Sequence, residues 1–294
     1  MKQFGHFVAI DWSGARGERH RGIALGICDD GSNDPPQLVR PGHRWSRIEV
    51  LHWLLHDLPS DTLVGLDLGI SLPFADCGAF FPGWEHSPAD ARGLWRLVES
   101  ICRAEPHLGA NSFTDHPQAS AYFRRHGGRE GRHFLANGTR KRNGRFRVTE
   151  LAQASRCGCK PYSNFNLVGA AQVGKSSLTG MRLLHALEGR LPVWPVDPGP
   201  TSGSVVVEIY TTLAAVAAGR TAGRAKMRKV DELDHALVNL GSTPSRLVGD
   251  ISDHEADALL TSAWLRNSAQ RAELWNPSGL SDVAQTEGWT FGVP

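Results

Sequence analysis

The stretch FVAIDWSG, residues 7–14, decides the fold prediction, because it joins a buried strand to a carboxylate and a tight turn. Four apolar residues come first, Asp11 ends the run, and a Ser-Gly turn follows. The next segment, RGIALGICDDG at 21–31, is typical of an antiparallel return strand that ends in an Asp-Gly turn. A third strand is expected in PQLVRPGHRW, residues 36–45. The chain therefore opens with a predicted sheet of three strands.

A helix and a fourth strand are predicted next, and this strand also ends in an acid. In SRIEVLHWLLHDLP, residues 46–59, Ser46 and Glu49 have capping-box spacing. The apolar stripe predicted to face the core consists of Ile48, Leu51, Leu54, Leu55 and Leu58. The segment TLVGLD, residues 62–67, then predicts a buried strand that ends at Asp67. The order up to this point is β-β-β-α-β.

A long interruption follows the fourth strand. Residues 74–203 include a Pro/Gly-rich connector at 192–203, after which strand and helix patterns resume. The later elements predicted are helices at 89–104, 176–188, 211–219, 231–241 and 252–269 and a strand at 204–210. We therefore predict one α/β domain over residues 1–294, with 74–203 as an insertion between the fourth and fifth core strands.

Composition excludes several classes of protein. With 294 residues and 40% hydrophobic content, the chain can bury a sizeable core. It contains no run of eighteen apolar residues, so no membrane span is predicted, and its start lacks the apolar length of a signal peptide. The five scattered cysteines are Cys28, Cys77, Cys102, Cys157 and Cys159. Their odd number favours reduced thiols, and hence a cytoplasmic location.

Positive charge is concentrated in one segment. The net charge is only +2, but residues 121–160 carry eleven Lys and Arg residues against Glu130 and Glu150, a local charge of +9. Interleaved Gly, Phe and His suit contact with a phosphate backbone and with bases, although a merely solvated basic loop has the same composition. The candidate nucleic-acid contacts here are Arg140, Lys141, Arg142, Arg145 and Arg147.

Acidic residues stand where apolar residues would be expected. Asp11 and Asp67 end buried strands, and Glu208 interrupts SVVVEIY, where a carboxylate is costly unless a partner or a metal compensates it. In DHEAD, residues 253–257, Asp253 and Asp257 share one helical face. Each acid alone could cap a turn or a helix. Together they predict oxygen coordination of Mg²⁺ or Mn²⁺ and phosphodiester hydrolysis.

Short blocks along nearly the whole chain resemble the family called domain of unknown function 429, whose members are predicted ribonuclease H-like nucleases. These blocks are FVAIDWSGA, VGLDLGISLP, VVVEIY, DHEADALLTSAW and the terminal EGWTFGVP. The late helix HEADAL is also similar to an element of Holliday-junction resolvases. The resemblance implies a ribonuclease H-like mixed sheet flanked by helices and a nuclease activity on DNA or RNA.

The same resemblance implies roles for individual residues. Asp11, Asp67 and Asp257 would be metal ligands. The supporting ligands or proton-transfer groups would be Glu208, His254 and Asp253. Glu208 departs from the pattern, because nucleases of this fold need not have an acid inside the fifth strand.

One motif points to a different function. GAAQVGKSS, residues 169–177, matches the phosphate-binding P-loop pattern. Only FNLV precedes it where a firm strand is needed, and Gly180 is expected to break the following helix. We therefore predict no P-loop ATPase, while the helix start and Lys175 could bind a backbone phosphate. The alternatives are a phosphotransferase or ATPase, through this loop or a sugar-kinase and actin-like core, and a non-catalytic nucleic-acid-binding protein.

Overall fold

The computed structural model describes residues 2–135, 144–169, 172–199 and 201–294. Its strands are β1 (His6–Asp11), β2 (Ala24–Asp29), β3 (Gln37–Leu38), β4 (Thr62–Asp67), β5 (Arg124–Arg125), β6 (Arg129–Glu130), β7 (Val193–Trp194) and β8 (Val205–Glu208). Its α-helices are α1 (Arg47–His56), α2 (Ala91–Cys102), α3 (Asn111–Asp115), α4 (Val148–Arg156), α5 (Val173–Ala186), α6 (Thr211–Ala217), α7 (Val230–Asn239), α8 (Asp253–Ser268), α9 (Ala272–Trp275) and α10 (Leu280–Val283). Short 3₁₀ helices cover Ala119–Tyr122, His126–Gly128 and Ala222–Arg224.

Within these ranges, six strands form one mixed sheet in the order β3-β2-β1-β4-β8-β7. The first three strands are antiparallel neighbours, whereas β4 pairs in parallel with both β1 and β8, and β7 pairs in parallel with β8. The predicted β-β-β-α-β opening is therefore confirmed. A mixed α/β fold with helices on the sheet is also confirmed.

The sheet separates two hydrophobic cores, because successive strand residues point to opposite faces. Val8 and Ile10 of β1 belong to the core that contains residues of α1, α2 and α5. Phe7 and Ala9 belong to the other core, which α6, α7, α8 and the C-terminal residues complete. Parts of the predicted insertion, α2 and α5, thus help to cover one face of the sheet.

The buried side of α1 includes most of the predicted stripe but is wider than predicted. The capping box between Ser46 and Glu49 is confirmed, but Ile48 is 47% exposed. Leu54 is buried, and Leu51, Leu55 and Leu58 are partly buried against the core, as the stripe predicts. The helix also buries Arg47, Val50 and Trp53, which lie outside the predicted stripe. The wide indole of Trp53 fills the core side, and Arg47 is held by backbone carbonyls of neighbouring loops, which periodicity cannot reveal.

Two other predictions about the region before β8 are wrong. Gly180 does not break its helix, because α5 continues to Ala186 and the missing side chain leaves room for Leu68. The connector at 192–203 contains β7, the sixth strand of the sheet.

All five cysteines are free. Among the described residues, no helix has both the length and the apolar character needed to cross a membrane.

Candidate functional site

Three of the predicted acids meet at one edge of the sheet. Asp11 and Asp67 are direct partners in the parallel register of β1 and β4, whose backbones lie about 4.8 Å apart. Helix α8 packs against β1 and β2 and carries Asp257 in its second turn. Asp11 and Asp257 are each only 4% exposed. The fold therefore brings Asp11, Asp67 and Asp257 together as the sequence predicts.

Two nitrogen-bearing side chains contact these acids. The Nδ1 atom of His254 lies 2.9 Å from Oδ2 of Asp11, and Nζ of Lys226 donates a hydrogen bond to Oδ2 of Asp257. Lys226 belongs to the segment before α7, far from the acids in sequence. No pattern around Lys226 marks it as a site residue, so sequence reasoning misses it.

The pKa values reflect crowded negative charge. Burial raises the pKa of Asp67 well above its usual value, and the charges of Asp11 and Asp257 raise it further, while Lys226 opposes them. Burial also raises the pKa of Asp257, to about 6, against the effect of Lys226. The pKa of His254 is raised, chiefly because the imidazole is hydrogen-bonded to Asp11. The cluster therefore favours an added cation or bound protons.

Oxygen ligands of this kind suit Mg²⁺ or Mn²⁺. In the part of the chain that the structure describes, however, no group of three or more His, Cys, Asp or Glu side chains is arranged so that it could hold a metal ion. The ammonium group of Lys226 already compensates Asp257, and Asp253 points to Arg228, with 3.6 Å between their nearest charged atoms. The donor chemistry fits a divalent ion, but the present arrangement is not a preformed metal site.

A cavity of about 510 Å³ opens beside the acids. Asp67, Lys226, His254 and Lys175 all line it. Asp11 and Asp257 lie behind His254 and Lys226, to which they are hydrogen-bonded. Of the three acids, Asp67 therefore faces a substrate in the cavity directly, together with the cationic groups of Lys175 and Lys226.

The GKSS motif reaches this site because glycines let α5 approach the turns after the acids. A side chain at Gly14 would clash with the backbone of Lys175 and Ser176. One at Gly69 would clash with Asn164 and come too close to Ser177. The start of α5 is thus packed between the Asp11 and Asp67 turns. Gly174 of the motif itself has a packing role, because a side chain there would clash with the backbone of Asn164 and with Leu167.

Glu208 is buried in β8, but its carboxylate is fully engaged by protein groups. Both oxygens accept hydrogen bonds from the guanidinium of Arg147, at 2.6 and 2.8 Å. The backbone N–H of Ile70 and the hydroxyl of Thr290 also donate to it. Arg147 additionally pairs with Glu150. The compensation that a carboxylate in this strand requires therefore comes from an arginine.

The residues predicted to contact nucleic acid differ in their surroundings. Arg145 and Arg147 are 2% and 1% exposed, so neither guanidinium is available to a nucleic acid. Arg145 instead binds Asp76 and three backbone carbonyls, those of Pro73, Ala79 and Phe80. Arg140, Lys141 and Arg142 lie outside the described residues. Among the described candidates, Arg147 and Lys175 both line the cavity, but the guanidinium of Arg147 is buried and paired with Glu150 and Glu208.

Comparisons of the chain with models of protein families, with curated proteins and with solved structures found no match. Any assignment of function to this acidic site therefore depends on its own geometry and chemistry.

Proposed function

We propose that the chain is a metal-dependent nuclease of the ribonuclease H-like class, which hydrolyses phosphodiester bonds of DNA or RNA. The observation that carries the proposal is the convergence of Asp11, Asp67 and Asp257 beside a cavity that also contains Lys175. Acids from two parallel strands and a late helix are an arrangement suited to a divalent ion. The cationic side chain suits an anionic substrate.

The topology supports the same class. Three antiparallel strands are followed by parallel strands on the other side of β1, with acids after the first and fourth strands and on α8. This matches what the resemblance to ribonuclease H-like nucleases implies. Glycines in the turns after β1 and β4 let the start of α5 approach the acids, so the order of the strands also brings Lys175 to the site.

Each side chain then has a proposed task. Asp11, Asp67 and Asp257 would hold Mg²⁺ or Mn²⁺, which supplies an activated water and stabilises negative charge on the phosphoryl oxygens. His254 orients Asp11 through their hydrogen bond. Lys175, beside the N-terminus of α5, holds a substrate phosphate. Asp253 remains a candidate outer ligand, whereas we assign Glu208 to the buried ion pair with Arg147.

Lys226 and the divalent ion compete for Asp257 in this scheme. Lys226→Met removes the ammonium group but keeps an unbranched apolar side chain. We expect Mn²⁺ to bind about twofold to tenfold more tightly, since no ion pair has to be broken first. The metal-free variant should melt at a lower temperature because its carboxylates repel one another. Isothermal titration calorimetry and thermal melts measure the two effects.

Lys229→Met is the matched control, because Lys229 is an exposed lysine of the same segment and its ammonium forms no hydrogen bond or ion pair with the acids among the described residues. Its Mn²⁺ affinity should equal that of the parent. If Lys226→Met bound Mn²⁺ no more tightly than the parent, Lys226 would not occupy the metal position.

The activity itself is tested with labelled single-stranded, duplex and branched DNA and RNA substrates, with and without Mn²⁺. We expect cleavage only with the metal and none by Asp11→Asn, which excludes a contaminating nuclease. A parallel ATPase assay tests the P-loop alternative. We expect no activity, because a P-loop follows a strand, whereas FNLV forms only an isolated bridge from Asn166 to Arg124 within the described ranges. Micromolar ATP binding that Lys175→Ala removes would favour that alternative. Nucleic-acid binding without cleavage would favour the non-catalytic one.

A further inference from the structure

A second cavity, of about 280 Å³, adjoins the one beside the acids. Gly14, Ala15 and Lys175 line both cavities, so they form the boundary between them. The second cavity extends over the turn after Asp11 and towards the segment that leads into α3. A chain of phosphates lying across the acidic site could continue into it.

A buried arginine without a carboxylate partner lies in the wall of this cavity. Arg47 is 1% exposed, and its guanidinium donates hydrogen bonds to the backbone carbonyls of Ser13, Ala15 and His107. Within the described ranges it forms no ion pair, unlike Arg182, which is bound to Glu99. Burial lowers the pKa of Arg47 only to about 10, so the group keeps its charge at neutral pH. The charge of Glu105 opposes the effect of burial on this pKa, but the guanidinium itself is hydrogen-bonded only to neutral carbonyl groups in the described structure, so it can still attract an anion.

Two further cations line the same cavity. Arg16 uses its Nε atom to bind Asn111, at 3.0 Å, and the ammonium of Lys175 has no hydrogen-bond or ion-pair partner among the described residues. Burial lowers the pKa of Lys175, and the charge of Arg16, which lines the same cavity, lowers it further.

An acid, Glu105, also lines the cavity, and its carboxylate is already hydrogen-bonded to protein groups. Glu105 accepts hydrogen bonds from the backbone N–H groups of Asn111 and Ser112 and from the Asn111 side chain. It carries one negative charge against the three positive charges of Arg16, Arg47 and Lys175. The described lining therefore has a net charge that a phosphate group would neutralise.

We propose that the second cavity is a phosphate subsite, which holds the backbone phosphate next to the one placed at the acids. This proposal rests on the proposed nuclease function for the identity of the substrate, but the anion site itself rests on the cavity and its cations. Lys175 lies on the boundary and contacts the phosphates on both sides. Arg16 and Arg47 belong to the second cavity alone, so they distinguish the subsite from the acidic site.

Arg16→Gln is the test, because Arg16 is exposed and can be changed without removing a buried contact. Arg47 is unsuitable, since it also holds the turn at Ser13 and Ala15 and the loop at His107 against the start of α1. We expect Arg16→Gln to bind a fluorescent single-stranded 12-mer about threefold to tenfold more weakly at low salt. The slope of log K against log salt should decrease by about 0.7, the value for one lost phosphate contact on a single strand. The titrations are made without divalent cations, so that no cleavage occurs.

Arg190→Gln is the matched control. Arg190 is an exposed arginine beyond the opposite end of α5, a helix of 14 residues that is about 21 Å long. Its affinity and salt slope should equal those of the parent.

Inorganic phosphate, added to the parent and to Arg16→Gln in thermal melts, separates a backbone phosphate from a free one. We expect phosphate to raise the melting temperature of the parent more than that of the variant, together with the change in 12-mer binding. Unchanged affinity and salt slope for the 12-mer would overturn the proposal, and a phosphate effect alone would then indicate a site for free phosphate. Cleavage by the parent, with unchanged 12-mer binding by Arg16→Gln, would overturn the subsite but not the nuclease. Altered binding without any cleavage would retain the subsite and remove the nuclease.

Discussion

Arg147→Met should lower the free energy of unfolding by about 3–5 kcal/mol, the usual cost of removing one partner from a buried ion pair. Arg147 is 1% exposed and is the cation shared by Glu150 and Glu208. Burial opposes its charge, but these two carboxylates raise the pKa of Arg147 overall. Methionine would fill much of the space while leaving both acids buried without a cation.

The network also joins distant parts of the chain, which adds to the expected loss. Arg147 donates to the backbone carbonyl of Glu287, and Thr290 donates to Glu208. The substitution therefore loosens the contacts among the start of α4, strand β8 and the C-terminal segment together.

Urea unfolding followed by circular dichroism measures this change. Arg129→Met is the control, because Arg129 belongs to the same basic segment but is exposed, and its substitution should change stability by no more than about 0.5 kcal/mol. A loss below 1 kcal/mol for Arg147→Met would show that the buried network is not a main source of stability.

The strands and the acidic edge could be predicted because their signals are local. FVAID and TLVGLD are apolar runs of strand length, and the acid at each end follows directly from the chain. The capping box fixes the start of α1, and Ser252 with Glu255 does the same for α8. Local patterns of this kind are enough to predict which segments form strands and helices, and at which end of a strand an acid lies.

The ion pairs could not be predicted, because they join residues far apart in sequence. Arg147 and Glu208 are 61 positions apart, and Lys226 and Asp257 are 31 apart. A run of arginines predicts an exposed basic segment, yet Arg145 and Arg147 are buried because acids and carbonyls elsewhere in the chain compensate them. Lys226 shows the same limit, since only the fold reveals that a loop lysine reaches the acids.

Asp11→Asn should abolish cleavage and remove most of the response to divalent metal. The change keeps the shape of the side chain and one oxygen that can accept from His254, but it removes one negative charge from the cluster. The metal-free variant should remain folded, because the loss of one carboxylate relieves repulsion with Asp67 and Asp257. A structural Asp11 would behave differently, since its substitution would lower the stability of the metal-free protein and leave metal binding intact.

Differential scanning calorimetry of the parent and Asp11→Asn, each with and without Mn²⁺, tests the proposed metal site most directly. At 100 times its dissociation constant, Mn²⁺ should stabilise the parent by about 2.7 kcal/mol, since it binds the folded state. We expect the melting temperature of the parent to rise by several degrees, and that of Asp11→Asn to remain nearly constant. An Asp11→Asn protein that is less stable without metal, yet gains as much from Mn²⁺ as the parent, would contradict the assignment of Asp11, Asp67 and Asp257 as a catalytic metal site.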